Sequence, residues 1–352
     1  MASRTAVLDR VERLLRAGLT AKAFRERVLA ELRPVLPHDG HVWLLTDPLT
    51  RVGTSPLADV PALDLRDLPD LGRLRYLTTV NRWDVLVAEG RHAATLLGET
   101  GGEPDRSLLW RECLSGLGVT DVASVVSADR FGCWAWLDLW RTGTTYAPAD
   151  AAFLAELAPV LTVGLREAQA RTFVDDAAAL DLSGPAVVVL GPDLAVRSQT
   201  VWAGEALFKL NPPDDPVPTV PAAVYNVAAA LLAAEAGVPV GEPWSRVHLG
   251  EGRWVTLRAD RMTPVAGETG DVVVTIEVST PQERREVFAL AHGLTPRERE
   301  VLAEVARGLD SRAVADRLVV SEHTVHDHVK AVLAKTGTAT RQVLLSRIAG
   351  AA

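Results

Sequence analysis

The sequence predicts a multidomain α+β protein, with two antiparallel-sheet modules in series followed by an all-α domain of four short helices. Three observations predict it. Strand-like pairs recur twice before Pro281, each set accompanied by helical runs. After Pro281 the strand pattern stops, and helix-starting and helix-ending residues follow one another at short intervals. The charge divides at the same place. The whole chain carries a net −8. From Pro281 onward eleven Lys and Arg stand against nine Asp and Glu, a balance of +2 that leaves −10 for the rest. A length of 352 residues accommodates two or three domains with real cores, and the pattern places their limits at 1–178, 179–280 and 281–352.

Residues 5 to 36 read as helices, from the spacing of Val7, Leu8, Val11, Leu14 and Leu15, then Phe24, Val28, Leu29 and Leu32. His41 to Pro48 reads as a strand running into a turn. Gly53 to Gly102 has weak periodicity and receives no assignment. "VASVVSAD" and "GCWAWLDLWR" read as two antiparallel strands joined at Asp129-Arg130-Phe131-Gly132. Alternation puts Cys133, Ala135, Leu137 and Leu139 on one face of the second strand, and Trp134, Trp136, Asp138 and Trp140 on the other. Trp134, Trp136 and Trp140 are therefore candidates to line a pocket or an interface, set against ordinary core packing, with Trp83 and Trp110 as possible neighbours. A long helix follows, with Asp150 early in it and Leu154, Leu157, Leu161 and Leu165 along one seam.

A second module begins beyond a charged junction near Asp175-Asp176. "GPAVVVLGPDLAVRSQT" reads as two strands around Gly191-Pro192-Asp193. A short helix, a proline-rich stretch from Asn211 to Pro221 and a helix from about Ala222 to Ala236 come next. "WSRVHLGEGRWVTLRADRM" reads as a hairpin turning at Gly250-Glu251-Gly252, and "DVVVTIEVS" as a closing strand. Trp244, His248 and Trp254 could touch a cofactor, but plain strand packing explains them better. A connecting helix is expected from Pro281 to Gly293.

The tail then reads residue by residue. Thr295 caps a helix with Pro296 in its first turn and Glu298 positioned to close a capping box. Val301, Leu302 and Val305 share a face, and Gly308 ends the run. Asp310 caps a second helix burying Val314, Ala315 and Leu318. Ser321 caps a third, whose buried stripe is Val325, Val329, Val332 and Leu333. Gly337 ends it, and Thr340 caps a fourth carrying Val343, Leu344 and Ile348. On the side of the third helix opposite its stripe lie His323, His326, Asp327, Lys330, Ala331 and Ala334, with Thr324 at the edge. Such a narrow, hydrogen-bonding face suits a helix entering a DNA groove: Lys330 can meet phosphate or guanine, the histidines can donate, and Asp327 can accept from a cytosine amine.

"LTPREREVL", "GLDSRAVADRL" and "SEHTVHDHV" resemble, in order and at the same gaps, the C-terminal DNA-binding domain of the LuxR family. The resemblance covers the last fifth of the chain. It implies a dimer of four-helix, helix-turn-helix domains whose third helix reads double-stranded DNA, with the fourth, around Arg341 to Ile348, pairing subunits. The residues expected at DNA are Ser321, His323, Thr324, His326, Asp327, Lys330, Lys335 and Arg341. One departure is visible: the family often carries Lys or Arg where His323 and His326 stand. The first module, through "AWLDLWRTGTTYAPADAAFLAELAPVL", resembles a GAF sensor domain, and the order of strands and helices in the second resembles a PAS domain. Both resemblances imply sensing of a small molecule or a partner.

Other chemistry finds little support. There is no GxxxxGK[ST], GxSxG or HExxH motif, so no enzyme is expected. Cys113 and Cys133 form no CxxC, which fits a reducing cytoplasm and no structural metal. His323 and His326 lie one turn apart without a third ligand at suitable spacing. No cofactor is expected. The N-terminal stretch, threaded with Arg4, Arg10, Arg13 and Arg16, lacks the pattern of a signal peptide. The apolar run from Ala222 to Val238 is too short for a membrane span and contains Asn226 and Glu235. The alternative to a DNA-binding regulator is a signalling module whose helical tail contacts protein.

Overall fold

The structure is a computed structural model that describes residues 3–60, 63–64, 67–174, 184–210, 222–263 and 270–350. The Asp175-Asp176 junction and the proline-rich stretch Asn211 to Pro221 lie outside the described residues. Contacts divide the chain into two compact units. One comprises Met1–Ala168, Leu182–Val247 and Val255–Val278; the other comprises Gln169–Asp181, His248–Trp254 and Ser279–Ala352. The architecture is α+β, with two antiparallel sheets and a helical C-terminal segment.

The first unit opens with α1 (Arg4–Leu14) and α2 (Ala21–Leu32). Ser3 and Thr20 cap them, accepting the Ala6 and Ala23 N–H groups at 3.1 and 3.3 Å. Val7, Val11, Phe24, Val28 and Leu32 are buried, as their spacing requires. Then come β1 (Gly40–Thr46), β2 (Gly53–Asp59), α3 (Leu68–Leu77), α4 (Trp83–Ala88), β3 (Ala93–Thr95), α5 (Leu96–Thr100), β4 (Val119–Asp129), β5 (Gly132–Thr142) and α6 (Pro148–Ala170). The strands pair in the order β2-β1-β5-β4-β3. In the β4–β5 register Ser124 faces Asp138 and Val126 faces Trp136. By composition and length α6 could cross a membrane, yet half of its apolar window is buried in the fold. Close approach to α2 depends on Gly164, where a β-carbon would lie 2.3 Å from the Phe24 ring.

The second sheet is built from β6 (Ala186–Leu190), β7 (Val196–Gln199), β8 (Trp244–Gly250), β9 (Arg253–Arg261) and β10 (Val272–Val278), with α7 (Val201–Leu210) and α8 (Ala222–Glu235) between β7 and β8. Its order, β7-β6-β10-β9-β8, repeats that of the first sheet: in each, the second strand lies outside the first and the fifth is central. β6 and β10 alternate buried and half-buried residues, the mark of a sheet covered mainly on one face. α8 is apolar over most of its surface, with Asn226 as the polar exception in its middle, and its central residues are buried. It packs on α3 and β2 of the first sheet module and on β10 of the second, with Val227, Ala228, Ala229 and Ala230 fully covered.

Polar contacts tie these modules. Asp47, just past β1, and Arg246, on β8, form an ion pair whose side chains are both 0% exposed. The Asp47 carboxylate accepts from Arg246 Nε at 2.7 Å, Nη2 at 2.9 Å and the backbone N–H at 3.1 Å. It also accepts the N–H groups of Leu49 and Thr50 at 2.9 and 3.3 Å. Nearby, the Thr50 hydroxyl donates to the Trp244 carbonyl at 2.8 Å and Arg82 donates to the Pro239 carbonyl at 3.1 Å. A buried pair broken on one side leaves an uncompensated charge. Asp47→Asn should therefore lower the unfolding free energy by about 3–5 kcal/mol, measured by denaturant titration of the full chain; a loss below about 1 kcal/mol would show that Arg246 finds other partners.

His41 on β1 gives a second prediction. It is buried, and its Nδ1 has no hydrogen-bond partner among the described residues. Burial, helped by neighbouring His38, pulls its pKa down to about 4. The unfolded chain therefore takes the proton first. The stability this residue contributes is complete above about pH 6.5, its ordinary value, and declines as pH falls toward about 4. In denaturant midpoints measured across that window, His41→Gln should show a shallower decline than the wild type. Parallel curves would contradict this.

Candidate nucleic-acid interface

The C-terminal unit's helices are set by their ends. Thr280 caps α9 (Pro281–Ala291) in a full capping box with Glu283. Thr295 and Glu298 make the same box at α10 (Pro296–Ala306). Asp310, Ser321 and Thr340 cap α11 (Ser311–Leu318), α12 (Glu322–Thr336) and α13 (Arg341–Ala349) through the N–H groups of Ala313, Thr324 and Val343 at 2.8, 3.1 and 3.2 Å. Between α11 and α12 the chain turns on Val319, whose φ of 55° and ψ of 53° are left-handed, while the Val320 N–H reaches back to the Ala315 carbonyl at 3.0 Å.

α12 buries one stripe in two places. Val325 and Val329 join Val301, Val305, Val314, Ala315 and Leu318. Val332 and Leu333 join Leu294, Leu302, Leu344 and Ile348. The opposite side stays open: Ser321, His323, His326, Asp327, Lys330 and Ala334 are exposed and Thr324 is half-buried. His323, His326, Asp327 and Lys330 recur at three- and four-residue steps, so they line one side of the helix. His323 Nε2 lies 3.6 Å from Asp327, one turn on, with both side chains well exposed. Ser321 and Thr324 share a hydroxyl hydrogen bond of 2.8 Å at the helix start. α12 thus has one packed stripe and one open polar face, and it follows a tight left-handed turn.

Residues 292–348 match the family of bacterial regulatory proteins described as luxR family, GerE. This segment is a luxR-family domain. No curated protein matches the chain.

Two of the cations singled out from the sequence are engaged inside the luxR-family domain. Lys335 Nζ donates to both carboxylate oxygens of Glu298, at 2.9 and 2.7 Å. Burial alone would raise the Glu298 pKa, but the hydrogen bonds from Lys335 and Thr295 outweigh it and hold the carboxyl below its usual range. Arg341 donates to the Val305 and Leu309 carbonyls at the end of α10. Arg297 closes the end of α11 through the Leu318 carbonyl at 2.9 Å. These three brace helix ends.

In the other unit, Trp134, Trp136 and Trp140 are all buried. Trp83 joins them, stacked on Trp136 with centroids 4.9 Å apart, and Tyr76 meets Trp83 edge-on. Arg75 lies about 5 Å from both indole rings and holds Asp138 through Nε at 2.8 Å and Nη2 at 3.2 Å. Ser124 donates to the same carboxylate at 2.6 Å. The indole N–H of Trp134 reaches Asp129 at 3.1 Å, whereas that of Trp136 has no partner among the described residues. Trp110 is placed elsewhere, donating to the Val119 carbonyl at 2.7 Å. Trp254 stacks on Phe173 in the C-terminal unit, and Trp244 lies against Arg246 and Arg258. Among the described residues no group of three or more His, Cys, Asp or Glu could hold a metal ion. Arg75 and Tyr76 carried no signal in the sequence, because α3 is short and weakly periodic.

Val319 is 88% exposed, so its side chain contributes little packing. A β-branched residue pays about 1–2 kcal/mol to occupy the left-handed region, whereas glycine is free to do so at the cost of a floppier unfolded chain. Val319→Gly should stabilise the luxR-family domain by about 0.5–1 kcal/mol. Thermal unfolding followed by helix signal checks it; destabilisation would show that the valine side chain holds the turn.

Proposed function

We propose that this protein is a dimeric transcriptional regulator in which α12 lies in the major groove of double-stranded DNA. The observation that carries the reading is the open polar face of α12, on a helix that buries Val325 and Val332 and packs Val329 against the interior. In this assignment His323, Thr324, His326, Asp327 and Lys330 face base edges and phosphates. Ser321 sits at the helix start, where its exposed N-terminal turn approaches the backbone. Lys335 and Arg341 act at the edge of the interface, chiefly by holding α12 and α13 in register with α10. Exposed histidines in place of fixed cations leave the domain only weakly basic, so dimerisation is what doubles its field at DNA.

The two sheet modules are proposed as the sensing part, of GAF and PAS type respectively. The repeated strand order supports a common architecture for both. The signal is a small molecule or a partner protein, with the Trp134, Trp136 and Trp140 face as the place where a ligand would be felt. The expected setting is the bacterial cytoplasm, and the expected output is altered transcription rather than catalysis.

Binding of the full chain to duplex DNA, titrated against salt, tests the reading. Affinity should fall as salt rises, with a slope set by the number of phosphates neutralised. Lys330→Ala should weaken binding by about tenfold, within the range of one lost groove contact, and Lys330→Arg should restore most of it. An unchanged affinity and slope for Lys330→Ala, or full binding after deletion of residues 292–348, would defeat the assignment.

A further inference from the structure

Arg284 is a buried arginine whose guanidinium is held by backbone carbonyls. It lies on the first turn of α9 and is only 4% exposed. Its guanidinium makes three hydrogen bonds, all to backbone carbonyls: Nε to Ile348 at 2.9 Å, Nη2 to Arg347 at 3.2 Å and Nη1 to Gly252 at 2.6 Å. Two of these acceptors close the carboxyl end of α13, where unpaired carbonyls and the negative end of the helix dipole favour a cation. The third belongs to the hairpin turn between β8 and β9, which contacts place in the same C-terminal unit. Phe173 covers the guanidinium, with its ring centroid 5.6 Å from Cζ. Room for the group exists because residue 350 is glycine; a β-carbon there would lie 2.9 Å from Cζ, and its φ of 76° is itself unfavourable for a side chain.

The same turn has further ties to this unit. The Ser279 N–H donates to the Trp254 carbonyl at 3.0 Å. Trp254 stacks on Phe173 at 5.0 Å, and Phe173 meets Phe288 of α9 edge-on at 5.2 Å. These contacts hold the turn to α9. Arg284 thus reaches both the turn and the end of α13.

We propose that Arg284 is a positioning residue that fixes the end of α13 to the hairpin turn, so that displacement of the turn releases the last turn of that helix. Burying a guanidinium against neutral carbonyls is costly, and burial pulls its pKa down to about 10. An apolar side chain would pack α9 more cheaply; what it could not do is couple two backbone segments through one rigid fork. β8 and β9 run on from the turn into the sheet. The regulatory part of this inference rests on the DNA-binding reading, in which α13 pairs subunits; the mechanical part does not.

Hydrogen exchange on the full chain separates the two. In Arg284→Met, exchange should rise about tenfold or more at both 250–254 and 346–350, as expected for the loss of charge-assisted hydrogen bonds, while α10 to α12 keep their protection. Arg284→Lys should give an intermediate result. Gly350→Ala, which crowds the guanidinium, should raise exchange at the same two segments, and adding it to Arg284→Met should do little more at 250–254. Exchange rising at one segment alone, or at neither, overturns the coupling. For the regulatory part, duplexes selected by the wild-type chain from a random pool serve as the probe. Arg284→Met should weaken binding to a two-half-site duplex about tenfold more than to its single half-site. Equal weakening overturns that part. If the wild-type chain selects no duplex, the DNA reading itself fails, and the exchange result still decides the joint.

Discussion

Much of the first unit depends on one carboxylate. Asp47 accepts five N–H groups, three from Arg246 and two from the turn that follows β1, with no exposed surface on either charged side chain. A pair this deeply buried recovers its desolvation cost only when its lone pairs are used, and here they are. Apolar contacts between the two sheet modules, such as those of α8, would tolerate a slide of an ångström or a change of partner. The Asp47 fork does not: its bond to the Arg246 backbone N–H fixes the position of β8 along its own axis, and its bonds to Leu49 and Thr50 fix the turn that presents it. The buried polar pair thus supplies geometry that the alanine-rich surface of α8 lacks.

The luxR-family domain shows how a near-neutral segment can still present an open polar face. Several of its basic residues are committed within the fold. Lys335 neutralises Glu298, and Arg341 and Arg297 close helix ends; just ahead of the domain, Arg284 is buried on carbonyls. Arg307 and Arg317 share Glu304. Among the described residues Lys330, His323 and His326 stay exposed, with only the loose His323 and Asp327 pair between them. Charge counted over the segment therefore understates how its exposed cations are distributed.

What could be read from the sequence follows from how far each interaction reaches along the chain. The caps at Thr295, Asp310, Ser321 and Thr340 act over three residues, so the limits and faces of the last four helices were legible. So were the strand pair that turns at Asp129 to Gly132 and the hairpin at Gly250 to Gly252. The region from Gly53 to Gly102 was not, because β2, α3, α4, β3 and α5 are mostly shorter than the window over which periodicity shows. Alternation on β5 correctly separated the tryptophan face, but could not tell that both faces are buried. Arg75 lies 63 residues from Asp138, and Asp47 lies 199 from Arg246. No local pattern announces such partners. The engagement of Lys335 was hidden for a related reason: its partner Glu298 had already been accounted for by the capping box, and a carboxylate has room for both.

The apolar helix α6 has a consequence for how the chain is made. Exposed on its own, a 23-residue stretch of this composition would be attracted to lipid or to other unfolded chains. It is synthesised after all five strands of the first sheet, so the surface that will cover it has already left the ribosome when it emerges. Order of synthesis thereby shields this apolar segment, and a rearranged gene that placed α6 ahead of those strands would give up that protection while encoding the same contacts.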